Sequence, residues 1–412
     1  MKVLLINNCH WPRGGSESVY FNTAKLLIEH GHEVVFLSFA DEHNIHTEQP
    51  EYFVKYEGGL GKIKSYFCNG ESVRVLEEVL DKEKPDIAHA HLFWGGMTAA
   101  IIPVLHMNGV PLVHTAHDYR MVCPAYLLKD GKGQLCERCK GGKFVNCLRY
   151  RCSKGSLVQS AIMTAEMYYR NHKWHPAKEI DGIIFVSNFS KQKHVEFDRR
   201  FTESYTMVLY NTPGEKVKES LDKSVNTFNS YYLFYGRLSV EKGISTLLKS
   251  IEKYPQLPLK IVGTGPLEEE LKNFCCEKGL INVEFLGYKS GKELFDLVAG
   301  AKYVCAPSEC YENNPMTIVE AYSLATPVIG AAIGGISEII KEGETGFLFE
   351  SGAISSLENA IEKSLAVSEN EYSLIKKNAY QFAKANFDSE KYYEMLVGFY
   401  QNVIKKFNSS KD

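Results

Sequence analysis

The chain has 412 residues, 44% hydrophobic and 24% charged. That composition excludes a largely disordered, collagen-like or coiled-coil chain, and the length exceeds the roughly 250–300 residues at which single cores stop growing, so two domains are expected. Forty-seven basic against 50 acidic side chains leave a net charge of −3, too balanced for a dedicated nucleic-acid binder.

The chain opens with a short apolar run, residues 3–6, which reads as a buried strand and is too short for a signal-peptide core. Ser16 offers an N-cap to a helix that Gly31 stops, and 34–39 is the next strand. Strands follow at 87–88, 112–115, 183–186 and 207–210, with helices near 71–82, 97–107 and 156–171. A polar stretch, 211–230, has little to bury and reads as a linker. The alternation then restarts with strands at 231–235, 259–262, 283–286, 303–306 and 327–329. Helices near 244–254, 266–278, 291–299 and 315–325 separate them, and the tail from Ser355 is helical. This pattern predicts an α/β protein with two doubly wound, Rossmann-like domains facing a cleft. No segment approaches the roughly 18 uncharged apolar residues of a membrane span, so a cytoplasmic protein is expected. Residues 115–200 hold 16 basic and 8 acidic side chains. They read either as a solvated face or as a patch for phosphorylated substrates or for peripheral contact with an anionic membrane.

In such sheets ligands sit beyond the carboxyl ends of the strands. Arg13-Gly14-Gly15-Ser16-Glu17 follows the first strand; its glycines allow a ligand close to the backbone at a helix start. Gly236-Arg237 through Lys242-Gly243 follows the first strand of the second half. Arg237 presents a planar fork for phosphate and Lys242 a mobile point charge, placed where a leaving diphosphate gathers charge. In 308–321, Asn314 is the expected N-cap and Pro315 the first helical residue. Glu312 then lies in the loop and Glu320 in the second turn, so two carboxylates can grip two polyols with a helix start between them.

Four histidines, His89, His91, His114 and His117, end two predicted strands and are expected to face the cleft. His117 and Asp118 point to opposite sides and are not expected to form a dyad. Cys123, Cys136, Cys139, Cys147 and Cys152 fall within 30 residues of the chain, and four of these thiolates could hold a structural zinc ion. Gly58-Gly-Leu-Gly-Lys62 fails the P-loop pattern, and no Asp-X-Asp pair offers a carboxylate-bound Mg²⁺ or Mn²⁺.

These residues together resemble the family-4 glycosyltransferases, retaining enzymes of the GT-B fold that use nucleotide-diphosphate sugars without a catalytic metal. The resemblance rests on Gly14-Gly15, Gly236-Arg237, Glu241-Lys242-Gly243, Glu312 with Glu320, Gly334-Gly335 with Glu338, and Thr345-Gly346. It implies that Arg237 and Lys242 bind the donor diphosphate, Glu320 the ribose and Glu312 the transferred sugar. Asn313, Asn314, Pro315, Met316 and Thr317 would face the diphosphate and sugar, Gly287 and Tyr288 the base. Gly15 would approach from the first domain, and His117 would lie beside the transferred sugar. The last helix, 387–412, would return to the first domain, leaving 231–386 as the donor domain. The cysteine segment looks like that of a bacterial subset, which selects Cys123, Cys136, Cys139 and Cys152 as the zinc set. Such members build surface polysaccharides on glycan or lipid-linked acceptors. Ala325 stands where the family usually has a helix-ending glycine, and Asn313-Asn314-Pro315 replaces a commoner glycine–aromatic lead-in. Two rivals remain open: a GT-B nucleotide-sugar epimerase, and a non-catalytic subunit of a partner glycosyltransferase.

Overall fold

Thirteen short runs, six of them buried along their whole length, form the strands of the computed structural model, which describes residues 1–56, 61–214, 217 and 231–410. In the first half these are β1 (Lys2–Ile6), β2 (Glu33–Phe39), β3 (Glu51–Val54), β4 (Ile87–Ala90), β5 (Leu112–Ala116), β6 (Gly182–Phe185) and β7 (Thr206–Val208). In the second they are β8 (Tyr232–Tyr235), β9 (Leu259–Val262), β10 (Val283–Gly287), β11 (Tyr303–Ala306), β12 (Val328–Ala331) and β13 (Gly346–Phe349). All pairings are parallel, in the orders β3-β2-β1-β4-β5-β6-β7 and β10-β9-β8-β11-β12-β13. The chain divides into two compact units, Met1–Tyr210 with Ser389–Asp412, and Asn211–Asp388. In each sheet the strand order reverses beside the first strand, at β1/β4 and β8/β11, which is where doubly wound sheets open a ligand crevice. Most of the 211–230 stretch and residues 58–60 of the Gly58–Lys62 run lie outside the described residues.

β3 and β13 carry no predicted strand. Each is a four-residue outer strand led in by polar or glycine residues, so neither shows the long apolar run of a central strand. The helix Asn188–Phe197 is also unanticipated; it buries Ser190, His194 and Phe197, a face with one large apolar residue.

The helix Ser389–Ser409 completes the core of the first unit. Tyr392, Leu396, Phe399, Tyr400 and Val403 recur at helical spacing and pack with Val3, Leu5, Leu27 and Phe36. Gly182 makes the approach feasible: a Cβ there would lie 2.7 Å from Val403 and 2.8 Å from Phe399.

Three of the four strand-end histidines belong to this core rather than to an open cleft. His89, His91 and His114 are at most 2% exposed, because β4 and β5 are central strands covered on both faces. His89 bonds the Tyr400 hydroxyl through Nδ1 (2.5 Å) and the Thr115 hydroxyl through Nε2 (2.7 Å). His114 Nδ1 lies 2.9 Å from the Ala90 carbonyl, so that nitrogen carries the proton, and Nε2 accepts from Trp94 Nε1 at 3.2 Å. His114 is therefore neutral in the fold. Burial pushes the pKa of His114 down to about 3 and that of His194 to about 4, and lowers His89 and His91 as well.

The helix Met316–Ser323 ends in a Schellman arrangement: the Ala325 amide donates to Tyr322 O (3.0 Å) and the Thr326 amide to Ala321 O (2.8 Å). Ala325 sits at φ +54°, so an L-residue occupies the left-handed position that glycine ordinarily fills.

Two predictions follow from these features. Histidines with depressed folded pKa values bind protons on unfolding once the pH drops below about 6.5, so stability is full above that value and is lost as pH falls toward 4. The thermal midpoint of the first unit should thus fall steadily between pH 7 and pH 5; a flat profile would mean the histidines are already charged in the fold. Ala325→Gly should stabilise the second unit by about 0.5–1 kcal/mol, the left-handed strain less the added glycine entropy. Urea denaturation midpoints of the two proteins measure this, and a lower midpoint for the glycine variant would contradict it.

Candidate active site

The second unit assembles its polar side chains from loops at the carboxyl ends of β8 and β11. After β8, Gly236 turns at φ +146° and Arg237 projects outward, exposed and with no ion pair among the described residues. A short turn, Val240–Lys242, leads to Gly243 at φ +66° and the helix Ile244–Ile251. A Cβ on Gly243 would lie 1.8 Å from the Pro307 carbonyl oxygen. Glycine therefore lets the two loops meet backbone to backbone, and the Glu309 amide donates to Glu241 O at 2.9 Å.

That contact brings Lys242 Nζ to 2.6 Å from Glu312 Oε1. The same oxygen accepts from the Ser308 hydroxyl at 3.0 Å. Burial works against both charges, but their attraction prevails: the Lys242 pKa is raised and the Glu312 pKa lowered. The loop is fixed from behind, since the Gly335 amide donates to Glu312 O (2.7 Å) and a Cβ on Gly334 would lie 2.3 Å from that oxygen.

The helix after this loop begins one residue later than expected. Pro315 is the N-cap and Met316 the first helical residue. Asn314 does not cap it, because its Oδ1 accepts from the Asn211 amide (2.7 Å) while its carbonyl accepts from Asn211 Nδ2 (2.9 Å). Asn313 and Asn314 are both buried. Among the described residues the amides of Met316 and Thr317 take no backbone partner, leaving donors at a positive dipole end. The Tyr235 hydroxyl, 2.7 Å from Thr317 O and 3.1 Å from Glu320 Oε2, shares its proton between them. Burial lifts the Glu320 pKa to about 7, against the pull of the tyrosine hydrogen bond. β10 ends at Gly287, φ +66°, and Tyr288 beyond it is largely exposed.

In the first unit, Gly14 occupies the N-cap of the helix Gly15–Glu29, in place of the expected Ser16. The Ser16 hydroxyl instead donates to Glu17 Oε2 at 3.0 Å. His117, just past β5, pairs with His91 (Nε2 to Nδ1, 2.9 Å), whereas Asp118 pairs with Arg120 (2.9 Å), so the two neighbours do serve separate partners.

The four cysteines of the expected quartet, Cys123, Cys136, Cys139 and Cys152, lie near enough for Cys139 to interact electrostatically with each of the other three, while among the described residues no three His, Cys, Asp or Glu side chains stand at the geometry that holds a metal ion. Cys152 instead shares a thiol hydrogen bond with Cys147, the cysteine outside that quartet, and Arg138 Nη1 donates to Cys136 Sγ at 3.4 Å. Also among the described residues, no helix is long and apolar enough to cross a membrane.

Tyr235, Ser308 and Asn211 complete the second-unit cluster and escape a reading limited to charged residues. Tyr235 closes a predicted strand one residue before the Gly236-Arg237 turn, so the strand-end rule extends to it.

Comparison with known proteins bears on this arrangement. Residues 13–211 match the family described as Glycosyltransferase Family 4, and residues 218–382 match Glycosyl transferases group 1. Among curated relatives, an uncharacterized 42.6 kDa protein in the cps region of Klebsiella pneumoniae is 25% identical over 367 residues, 83% of this chain and 88% of that protein. Sulfoquinovosyl transferase SQD2 of Arabidopsis thaliana is 25% identical over 361 residues, 82% of this chain and 61% of that one. Among solved structures, sucrose-phosphate synthase of Thermosynechococcus elongatus superposes with a TM-score of 0.73 at 18% identity, covering 98% of this chain and 100% of its own. Anabaena HepE in complex with UDP gives 0.67 at 20% identity, again with 98% and 100% coverage. With both halves matched and both sheets of the GT-B type, the chain belongs to the family-4 glycosyltransferases.

Proposed function

We propose that this chain is a retaining, metal-independent glycosyltransferase that moves a sugar from a UDP- or GDP-linked donor to a glycan or lipid-linked acceptor, in the synthesis of a bacterial surface polysaccharide. The observation that carries the reading is the second-unit cluster: an exposed Arg237, Lys242 held 2.6 Å from Glu312, and Glu320 on the following helix. The neighbouring Anabaena protein, whose structures hold UDP and UDP-glucose, supports the class of donor. The Klebsiella relative, encoded in a cps region, supports the surface-polysaccharide role.

In this reading Arg237 and Lys242 receive the charge that develops on the departing diphosphate, with the Met316 and Thr317 amides as further donors. Lys242 is already ordered by Glu312, so little reorganisation remains when phosphate arrives. Glu312, ionised and oriented by Lys242 and Ser308, accepts from hydroxyls of the transferred sugar. Glu320 accepts from the ribose hydroxyls, and Gly287-Tyr288 borders the base. His117 is assigned to the transferred sugar on the family resemblance alone. The acceptor hydroxyl attacks the face that the diphosphate leaves and passes its proton to the leaving oxygen, which preserves the anomeric configuration.

Arg237→Ala should lower turnover by roughly 10²–10³ without unfolding the protein. UDP or GDP release from the matching donor, with circular dichroism as control, tests this; turnover within a few-fold of wild type would remove Arg237 from the mechanism. A second test uses the raised pKa of Glu320. Below about pH 7 the carboxyl is protonated and loses acceptor capacity, so nucleotide affinity should weaken as pH falls from 8 to 6. Glu320→Gln should bind about tenfold more weakly at pH 8 and lose that pH dependence. Calorimetric titration with UDP and GDP at three pH values measures both.

A further inference from the structure

The helix Leu157–Lys173 of the first unit has its two faces reversed. Its buried residues are Ser160, Thr164, Glu166, Met167 and Arg170, all but Met167 polar or charged. Leu157 and Val158 are instead 52% and 69% exposed. At about 3.6 residues per turn Leu157, Val158, Ala161, Ile162, Ala165 and Tyr168 share one side of the helix, and none of them is buried. Glu166 is the one charged residue from Leu157 to Tyr168, and it is turned inward, 3.1 Å from Arg170 Nε. Single apolar residues on a surface are ordinary, but a contiguous apolar side marks a place where something docks. That side continues onto the cysteine-rich segment. The short helix Val145–Arg149 packs beside it, the Val145 amide donates to the Tyr168 hydroxyl at 3.2 Å, and Val145 is exposed as well.

The charges beside this side carry one sign. Every exposed charged residue within 127–165 is basic. Lys132, Lys143, Arg149, Arg151 and Lys154 are exposed and make no ion pair among the described residues. Both acidic residues of the stretch are already committed: Asp130 is buried beside Arg138 (3.3 Å), and Glu137 holds Lys140 (2.6 Å) and Lys193 (2.7 Å). Backbone contacts join the basic residues to the helix start. The Gly131 amide donates to Tyr150 O (3.1 Å), Arg138 lies over the Tyr150 ring (4.1 Å), and the Gly155 amide donates to Arg151 O (3.1 Å). A soluble phosphorylated ligand would use the charges and leave the apolar side without a role. A second copy meeting this one about a twofold axis would set basic side chains against basic side chains. An anionic lipid surface uses both features: its headgroups neutralise the cations, and the boundary between headgroups and acyl chains takes up the apolar side.

We propose that the first unit docks on anionic membranes through the outer side of the helix Leu157–Lys173, with Leu157, Val158 and Tyr168 entering the lipid interface and Arg149, Arg151 and Lys154 holding its headgroups. The helix lies on the bilayer rather than across it, because its other side carries Glu166 and Arg170 into the fold. The second-unit cluster takes no part in this contact, so the assignment goes beyond the glycosyltransferase reading and does not depend on it.

Sedimentation of the full chain with extruded vesicles tests this, comparing phosphatidylcholine alone with a mixture of phosphatidylcholine and phosphatidylglycerol. The protein should sediment with the mixed vesicles and at least about fivefold less with the neutral ones. Leu157→Ser combined with Val158→Ser should cut the bound fraction by at least about fivefold, as should Arg151→Glu combined with Lys154→Glu. Ile281→Ser, which removes an exposed apolar side chain from the second unit, should leave it unchanged. Thermal midpoints matching wild type establish that the variants fold. Val158→Trp gives a reading that needs no loss of binding: brominated acyl chains in the mixed vesicles should quench its added fluorescence. No binding of wild type to mixed vesicles, equal binding to neutral ones, binding that survives both double substitutions, or an unquenched Val158→Trp would each overturn the assignment. Gel filtration in which the Leu157→Ser, Val158→Ser chain loses a dimer formed by wild type would give this side to a second copy instead. Vesicle binding is read without donor or acceptor, so its failure leaves the glycosyltransferase reading as it stands.

Discussion

The ion pair between Lys242 and Glu312 sets the geometry of the second unit's site. It joins the loops that follow β8 and β11, and it exists only because those loops touch through backbone at Gly243 and because Gly334-Gly335 closes on the Glu312 carbonyl. Both side chains keep some access to water, 33% and 15%, so the pair adds little to stability. Its consequence is orientation: a flexible lysine and a flexible glutamate are each held in one place between the two loops.

The same loop–helix segment carries two carboxylates whose surroundings drive them in opposite directions. Glu312 faces a cation and two further donors, and stays ionised. Glu320 faces a single tyrosine hydroxyl in a buried setting and titrates near neutrality. Divergence of this kind is how one site assigns different tasks to chemically identical groups. The lysine holds Glu312 toward its ionised form, whereas burial brings the ionisation of Glu320 to about pH 7.

Much of this was legible in the chain. Central strands such as β9 and β11 announce themselves through unbroken apolar runs, and the strand-end rule leads directly to Arg237, Lys242, Glu312 and Glu320. The outer strands β3 and β13 were hidden because each offers only three apolar residues behind a polar or glycine lead, too short a run to stand out from a loop. The histidines misled for a related reason: in a strand covered on both faces, a polar residue near the end is drawn into the core when Tyr400, Thr115 or Trp94 can satisfy it. Tyr400 comes from a helix some three hundred residues away in sequence, a relation that local pattern does not carry. The Asn211–Asn314 pairing, which displaces the expected cap, is equally non-local.

The helix Met316–Ser323 shows how such pairings bear on the site. At its start Asn211 holds Asn314 by two hydrogen bonds, and Pro315 fixes the turn into the first helical residue. At its end the Schellman bonds form although Ala325 must accept a left-handed backbone to make them. A strained residue persists where surrounding contacts over-determine its conformation, and Thr326, whose hydroxyl donates to Val298 O at 2.9 Å, supplies one such anchor. The helix is therefore positioned from both ends rather than by its own capping preferences. Glu320 and the amides of Met316 and Thr317 inherit that fixed placement, so a cap that local propensity disfavours can be retained by the chain without moving them.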